Sequence, residues 1–129
     1  MNIGYAARKE WVKGQHKSVC VLMHRQIMES PEGIQVDHKD RNRLNNQRSN
    51  LRNATIREQR RNRGVGTSNT TGYKGVYFCK QKDKFQAYIR PKYGKVVHIG
   101  FYVNKEDAAK AYDRMAKFYF KEFAYLNFP

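Results

Sequence analysis

The sequence predicts an α+β protein made of two small modules, at residues 1–62 and 72–129, joined by a short link. Three patterns lead to this prediction. First, two short apolar runs flank an asparagine-rich stretch and a basic helical segment follows, which reads as strand, loop, strand and helix. Second, Gly, Ser, Thr and Asn dominate residues 63–71, as is typical of a connection. Third, the remainder contains three strand-like runs and then an amphipathic helix.

The first module opens with a lead-in of two predicted strands, at residues 3–8 and 18–22, with a turn around residues 13–14. A short helix that carries His24 is predicted next, and it ends before Pro31. His24 has two interpretations. It is either a structural histidine packed against the core or a contact to a phosphate group near the site.

The second module is predicted to form a three-stranded antiparallel sheet packed on one helix. Its strand-like runs cover residues 72–80, 85–90 and 95–102, and turns separate them at 81–84 and 91–94. Alternation of apolar and polar residues in the last two runs predicts one face against the helix and one open face. The residues predicted to face the helix are Phe85, Ala87, Ile89, Val97, Ile99 and Phe101.

The helix of this module is predicted to begin after Asn104. Asparagine is a favourable N-cap residue, and Asp107 stands at the capping-box position. Small and aromatic residues recur at helical spacing and predict a stripe that packs closely on the sheet. They are Ala108, Ala111, Tyr112, Met115 and Tyr119.

Charge is the strongest signal in the composition. The 129 residues include 26 Lys and Arg against 11 Asp and Glu, a net charge of +15 at pH 7. This charge is typical of proteins that bind nucleic acid, an acidic membrane surface or the ribosome. No run reaches the ~18 apolar residues of a membrane span, and no signal peptide begins the chain. We therefore expect a cytoplasmic protein of a bacterial or phage-infected cell, without a membrane partner and without a disulfide framework.

The most specific chemistry lies at Asp37 and His38. The carboxylate of Asp37 is a hard oxygen ligand that suits Mg²⁺. An imidazole side chain is suited to take a proton from water near neutral pH, so His38 is a candidate general base. The cations that surround this pair in sequence are Lys39, Arg41, Arg43, Arg48, Arg52, Arg57, Arg60, Arg61 and Arg63. Such surroundings favour a polyanionic substrate.

These two residues open a longer motif, D-H-x-D-x-N-x-L-N-N-x-x-x-N-L-R, in which Asn50 closes the asparagine series. With the lead-in at residues 22–28, the motif resembles HNH endonucleases of the phage and intron-homing type. The resemblance implies a ββα-metal fold with His38 as the general base. It also implies that Asn50 orients this histidine and steadies the loop, and that Asp37 ligates a single divalent metal ion.

The resemblance places a further metal ligand nine residues after Asn50, at Gln59. The side chain of glutamine ends in a carbonyl oxygen that can ligate, but it is one methylene longer than asparagine. Asn62, about one helical turn away on the same face, is the alternative ligand. Mg²⁺ is the expected ion, with Mn²⁺ as the alternative.

A second resemblance covers residues 72–129. Its motifs are residues 73–76, 87–90, 99–102, 106–113 and 126–129. They are similar to the APETALA/ethylene-response-factor type of DNA-binding domain, in which the open sheet face lies in the major groove. Carried over by position, the DNA-facing candidates are Lys74, Tyr77, Cys79, Tyr88, Arg90 and His98.

Two functional hypotheses follow. The first is a metal-dependent, site-specific DNA endonuclease that hydrolyses a phosphodiester to 5′-phosphate and 3′-hydroxyl ends. Its partner is double-stranded DNA, it acts as a monomer, and it has no small-molecule substrate. Basic side chains that would clamp phosphates are Arg41, Arg43, Arg52 and Arg60. The second hypothesis is a non-catalytic DNA-binding regulator whose nuclease half only grips phosphates.

Overall fold

The computed structural model describes residues 4–129 and divides the chain into two compact units. The first ends at Arg60 and the second is Arg61–Pro129. The fold is mixed, with small antiparallel sheets and a few helices. Among the described residues, no helix is long and apolar enough to span a membrane. Residue 3, where the first predicted strand was placed to begin, lies outside the described residues.

The first unit contains two separate two-stranded ribbons. Its elements are β1 (Ala7–Trp11), β2 (Ser18–Leu22), α1 (Met23–Met28), β3 (Gln35–His38), β4 (Leu51–Ala54) and α2 (Ile56–Arg61). β1 pairs with β2, and β3 pairs with β4, both antiparallel. α2 ends on the first residue of the second unit. From β3 onward the elements follow the predicted order of strand, loop, strand and helix.

Local interactions explain where β3, β4 and α2 lie. Val36, Leu51 and Ala54 are buried and form the apolar side of the β3–β4 ribbon. α2 starts with a reciprocal capping pair, because the Thr55 backbone N–H donates to Glu58 Oε2 at 2.8 Å and the Glu58 N–H donates to Thr55 Oγ1 at 3.3 Å. The β4 strand therefore passes directly into the helix.

The second unit contains one three-stranded sheet and one long helix. Its elements are β5 (Val76–Cys79), β6 (Lys84–Lys92), β7 (Lys95–Tyr102) and α3 (Lys105–Phe120), followed by a single 3₁₀ turn (Lys121–Phe123). The strands are antiparallel in the order β5-β6-β7. The core lies between the sheet and α3, in two clusters whose buried members are Val76, Ala87, Ala108 and Ala109, and Ile89, Tyr112, Ala116 and Phe120. Alanines on the inner side of α3 let the helix approach the strands closely.

The predicted inward position of Phe101 is wrong. β7 carries one extra residue at Ile99, since Ala87 pairs with Gly100 while the next residue of β6 pairs with His98. This bulge reverses the alternation beyond it. Tyr102 therefore joins the core, and Phe101 is exposed on the open face with Lys82 Nζ 4.2 Å from its ring centroid.

The predicted capping box of α3 is only partly correct. Asn104 is the N-cap residue, but its side chain makes no capping hydrogen bond. Instead, Asn104 Nδ2 donates to Asp107 Oδ2 at 3.4 Å. The carboxylate of Asp is one methylene shorter than that of Glu, which explains why it meets the cap side chain rather than the cap backbone.

Buried polar groups fix both ends of the second unit. The Asp113 carboxylate accepts the backbone N–H groups of Asn127 and Phe128, each at 2.8 Å. Near the start, Thr71 is buried and its hydroxyl donates to the Val76 carbonyl at 2.9 Å, while Asn69 Nδ2 donates to the Tyr73 carbonyl at 2.8 Å. The last residues of the predicted link are thus hydrogen-bonded into this unit.

A substitution at Gly75 would test how closely α3 packs on the sheet. Its φ is +75°, and a Cβ here would overlap the Tyr112 ring and lie 2.8 Å from the Tyr88 carbonyl oxygen. We expect Gly75→Ala to lower the free energy of unfolding by about 3–5 kcal/mol, since overpacking adds to left-handed backbone strain. Gly94→Ala is the matched control, because Gly94 has φ +74° and open space around it, and about 1 kcal/mol is expected there. Equal losses in urea unfolding of the full chain would contradict this packing.

Candidate active site and nucleic-acid surface

The β3–β4 ribbon presents Asp37 and His38 from adjacent positions of one strand, and both side chains are buried. Asp37 lies opposite Arg52, and His38 lies opposite Leu51. Because successive side chains of a strand point to opposite faces, the acid and the imidazole are in different surroundings.

His38 is held by an amide of the asparagine-rich loop. Its Nε2 lies 3.1 Å from Asn46 Oδ1, and the other end of that amide, Asn46 Nδ2, donates to the Leu44 carbonyl at 3.4 Å. An amide oxygen can only accept, so with the amide in this orientation the ring proton lies on Nε2. The loop amide therefore holds the ring in one orientation.

Two further rings pack against His38. The ring centroid of His24 is 5.2 Å away, edge-on, and that of Tyr5 is 5.9 Å away, with Arg43 stacked 5.0 Å from the Tyr5 centroid. Burial lowers the pKa of His24, and the nearby His38 and Arg25 lower it further. Within residues 4–129, His24 Nδ1 is the buried side-chain nitrogen that lacks a hydrogen-bond partner. The buried ring of His24 thus packs against the ring of His38. This position agrees with the interpretation of His24 as a structural histidine.

Asp37 is joined to Arg52 by a buried ion pair. Arg52 Nε and Nη2 both donate to Asp37 Oδ2, at 2.9 and 2.7 Å. The side chains are 12% and 8% exposed, so solvent screens this pair weakly. In this structure the guanidinium group of Arg52 therefore neutralises the negative charge of Asp37, the carboxylate that is expected to ligate a metal ion.

The loop between β3 and β4 is closed by Asp40 and Asn50. Asn50 Nδ2 donates to Asp40 Oδ1 and to the Asn45 carbonyl, each at 2.9 Å, and its Oδ1 accepts the Asp40 N–H at 3.1 Å. Hydrogen bonds from the Asn45 side chain, the Asn42 backbone and Asn50 hold the pKa of Asp40 below its usual value, in that order of importance. Asn50 therefore braces the loop, while the amide at the ring of His38 belongs to Asn46.

The other predicted residues of the nuclease half occupy varied positions. Arg41 and Arg60 are exposed, and Arg41 has a left-handed φ of +65° in the loop. Gln59 is half-buried on α2 in the first unit, whereas Asn62 is buried and belongs to the second unit. Of the two alternative metal ligands, Gln59 therefore lies in the same unit as Asp37.

Whether these residues suit a metal ion is decided by their donor chemistry. A carboxylate oxygen and an amide oxygen are donors that Mg²⁺ accepts, with water completing its shell. Among the described residues, no group of three or more His, Cys, Asp and Glu side chains is gathered for a metal. A site built on Asp37 would therefore bind the ion with few protein ligands and in competition with Arg52.

The open face of the second sheet carries a polar and aromatic cluster. Tyr77 and Tyr88 pack edge-on with centroids 5.5 Å apart, and Arg90 lies 5.7 Å from the Tyr88 centroid. Gln86 is buried at the centre, hydrogen-bonded to the hydroxyl of Tyr77 and to Nδ1 of His98. Four of the six predicted DNA-facing residues thus form one cluster, in which Tyr77 and His98 bond to Gln86 while Tyr88 packs on Tyr77 and on Arg90.

The remaining two predicted residues of this face are placed differently. Cys79 ends β5 and is half-buried. Lys74 precedes the strand, and its Nζ donates to the carbonyls of Arg61 and Arg63 at 2.7 and 2.6 Å. The ammonium group of Lys74 therefore binds backbone carbonyls at the start of the second unit.

Asn46, Gln86 and Phe101 were not predicted as site residues. Asn46 is one of several similar asparagines, and only the loop conformation selects it. Alternation along β6 puts Gln86 on the open face, but its bonds depend on the register with β5 and β7. No sequence signal marks the bulge that turns Phe101 outward.

Comparison with known proteins defines the class of the first unit. Residues 23–61 match the family model described as HNH endonuclease, so the chain carries an HNH endonuclease domain there. This match does not favour the non-catalytic alternative. The chain is also 36% identical over 97 residues to a protein of Acanthamoeba polyphaga mimivirus that is named as an uncharacterized HNH endonuclease.

The match to the viral protein covers 75% of this chain and 49% of the relative, so the chain spans about half the length of the curated protein that it matches. No solved structure is significantly similar to this chain.

Proposed function

We propose that this protein is a metal-dependent endonuclease that cuts double-stranded DNA in the manner of homing endonucleases. The observation that carries the proposal is the buried Asp37–His38 pair on one strand of a domain that matches the HNH family. The net charge of +15 supports a polyanionic substrate.

In the proposed reaction His38 accepts a proton from water. The water oxygen forms a bond to phosphorus as the bond between phosphorus and the 3′ oxygen breaks. That oxygen takes up a proton from solvent, which leaves 5′-phosphate and 3′-hydroxyl ends. The amide of Asn46 would keep the imidazole in one orientation during this transfer. Exposed arginines at positions 41, 43 and 60 would hold neighbouring phosphates.

Asp37, with Gln59 as the amide partner, would hold a divalent ion, and we propose Mg²⁺. Such an ion supplies charge neutralisation at the phosphate and at the departing oxygen. Arg52 would turn from the carboxylate to a DNA phosphate when substrate is present. That exchange would remove its competition for Asp37.

We further propose that the second unit reads the DNA site as an APETALA/ethylene-response-factor type of domain. A three-stranded antiparallel sheet with one helix behind it supports this, together with the open face that carries Tyr77, Tyr88, Arg90 and His98. The major groove admits a two-stranded β-ribbon, and two neighbouring strands of this sheet would enter it. The reading unit would set the position, and the first unit would cut.

The direct test is incubation of supercoiled plasmid with the protein and Mg²⁺. We expect conversion to nicked or linear DNA, and we expect EDTA to abolish it because the proposed ion is removed. Mn²⁺ added after chelation should restore cutting. Plasmid that stays supercoiled with either ion, although a mobility shift shows binding, would overturn the proposed activity.

A further inference from the structure

The β1–β2 ribbon, residues 7–22, is exposed over most of its length. All five residues of β1 and the first three of β2 are exposed. The Val12 N–H donates to the Lys17 carbonyl at 3.1 Å, and Gly14 adopts φ +80° in the turn. The ribbon is therefore well formed by its own backbone bonds while most of its surface faces solvent.

Basic side chains dominate this ribbon. Arg8, Lys9, Lys13 and Lys17 stand against one acid, Glu10, which pairs with Arg8. All of these side chains belong to exposed residues. Since most of this ribbon lies outside an apolar core, its charge indicates a surface for an anionic partner.

Trp11, the only tryptophan of the chain, is 77% exposed near the tip of this ribbon. It shares a face with Lys9, and their cross-strand partners on that face are the small residues Ser18 and Cys20. The indole ring therefore stands above its surroundings next to an ammonium group. A large aromatic side chain left in water forgoes a few kcal/mol of burial, which favours a role in contact with a partner.

The ribbon also continues directly into the helix that packs at the proposed active site. β2 ends at Leu22 and α1 begins at Met23 without a linker, and the Met23 N–H donates to the Ala6 carbonyl at 3.0 Å. The next residue, His24, packs against His38. A partner bound on the ribbon would thus be held in register with the nuclease residues.

We infer that the β1–β2 ribbon is a DNA contact of the first unit, independent of the open sheet face of the second. Lys9, Lys13 and Lys17 hold phosphates, and Trp11 packs against the sugar and base edges. A two-stranded ribbon has the width that the major groove admits. The inference rests on the proposed function, in that duplex DNA is the substrate of the same unit.

Because Trp11 is the sole tryptophan, its fluorescence reports on the ribbon in the unmodified full chain. The experiment titrates a fluorescein-labelled duplex in EDTA, which prevents cutting, and records anisotropy of the label together with Trp11 emission and its quenching by acrylamide. We expect both signals to saturate at the same DNA concentration, with Trp11 protected from acrylamide. Binding seen by anisotropy without any change at Trp11 would overturn this inference and leave the proposed function standing. A duplex that does not bind would overturn both.

Charge variants give the second measurement. Lys13→Ala with Lys17→Ala should reduce the slope of log K against log salt by about 0.9 for each phosphate that the protein no longer neutralises. The matched control removes the same charge from the exposed side of α3, with Lys110→Ala and Lys117→Ala, and should leave the slope unchanged.

Removal of the aromatic ring is a third measurement. Trp11→Ala should weaken duplex binding more than Phe118→Ala, a change at an aromatic residue that is 72% exposed on α3. The ribbon contact would be overturned if the ribbon variants and their α3 controls changed the salt slope equally and weakened duplex binding equally. So would Trp11 responding to vesicles of anionic lipid but not to duplex.

Discussion

His38→Ala is expected to lower the rate of DNA cutting by roughly 10²–10⁴-fold, the range that general-base catalysis contributes. Duplex affinity should change little, because His38 is buried and the proposed phosphate contacts come from exposed basic residues. The measurement is single-turnover cleavage of a plasmid with Mg²⁺, beside anisotropy of a labelled duplex in EDTA.

Removal of the imidazole also leaves space between His24 and Tyr5, whose rings pack on it. His38→Gln is therefore the companion variant, since it fills part of that volume and still cannot take the proton near neutral pH. Thermal unfolding of both variants separates a loss of structure from a loss of chemistry. Wild-type cutting by a folded His38→Gln would remove this residue as the base.

The sequence was most informative where one short pattern decides the local structure. A short apolar run that ends in Asp37 and His38 predicts a strand that carries both side chains, and β3 is such a strand. The helix after β4 was predicted only as a basic helical segment, and its start is also decided locally, because Thr55 and Glu58 form a capping pair. Alternation along β6 likewise placed Ala87 and Ile89 in the core.

Features that depend on partners far along the chain could not be predicted in this way. The extra residue at Ile99 follows from pairing with β6, so simple alternation put Phe101 on the wrong face. The partner of Asp37 depends on the register of β3 with β4, and Arg52 had been interpreted only as a phosphate contact. The hydrogen bonds of Lys74 could not be predicted either, because they join it to two backbone carbonyls that only the fold of the second unit brings close.

Arg52→Gln is expected to tighten metal binding in the absence of DNA by about tenfold, equivalent to about 1.4 kcal/mol. In the structure both Nε and Nη2 of Arg52 donate to one oxygen of Asp37 within a largely buried pair. A cation at that oxygen repels a second cation, and at short range with weak screening this repulsion is worth several kcal/mol before rearrangement. Titration with Mn²⁺, followed by the electron paramagnetic resonance of the free ion, measures the affinity without any cutting.

The matched control is Arg48→Gln, which removes the same charge from the same unit. Arg48 is exposed, and its Nη1 donates to the Ile27 carbonyl at 3.0 Å. A general effect of net charge would tighten Mn²⁺ binding equally in both variants, whereas direct competition predicts a change only at position 52. Weaker binding in Arg52→Gln would contradict competition and make Arg52 a support that holds Asp37 in place.

The same pair predicts how substrate and metal ion are coupled. If a DNA phosphate draws Arg52 away, an uncleavable duplex should raise the Mn²⁺ affinity of the wild-type protein more than that of Arg52→Gln. By reciprocity, Mn²⁺ should then raise duplex affinity by the same factor in each protein. A duplex that raises Mn²⁺ affinity equally in both would show that Arg52 stays on Asp37, and that the exposed arginines alone bind the phosphates.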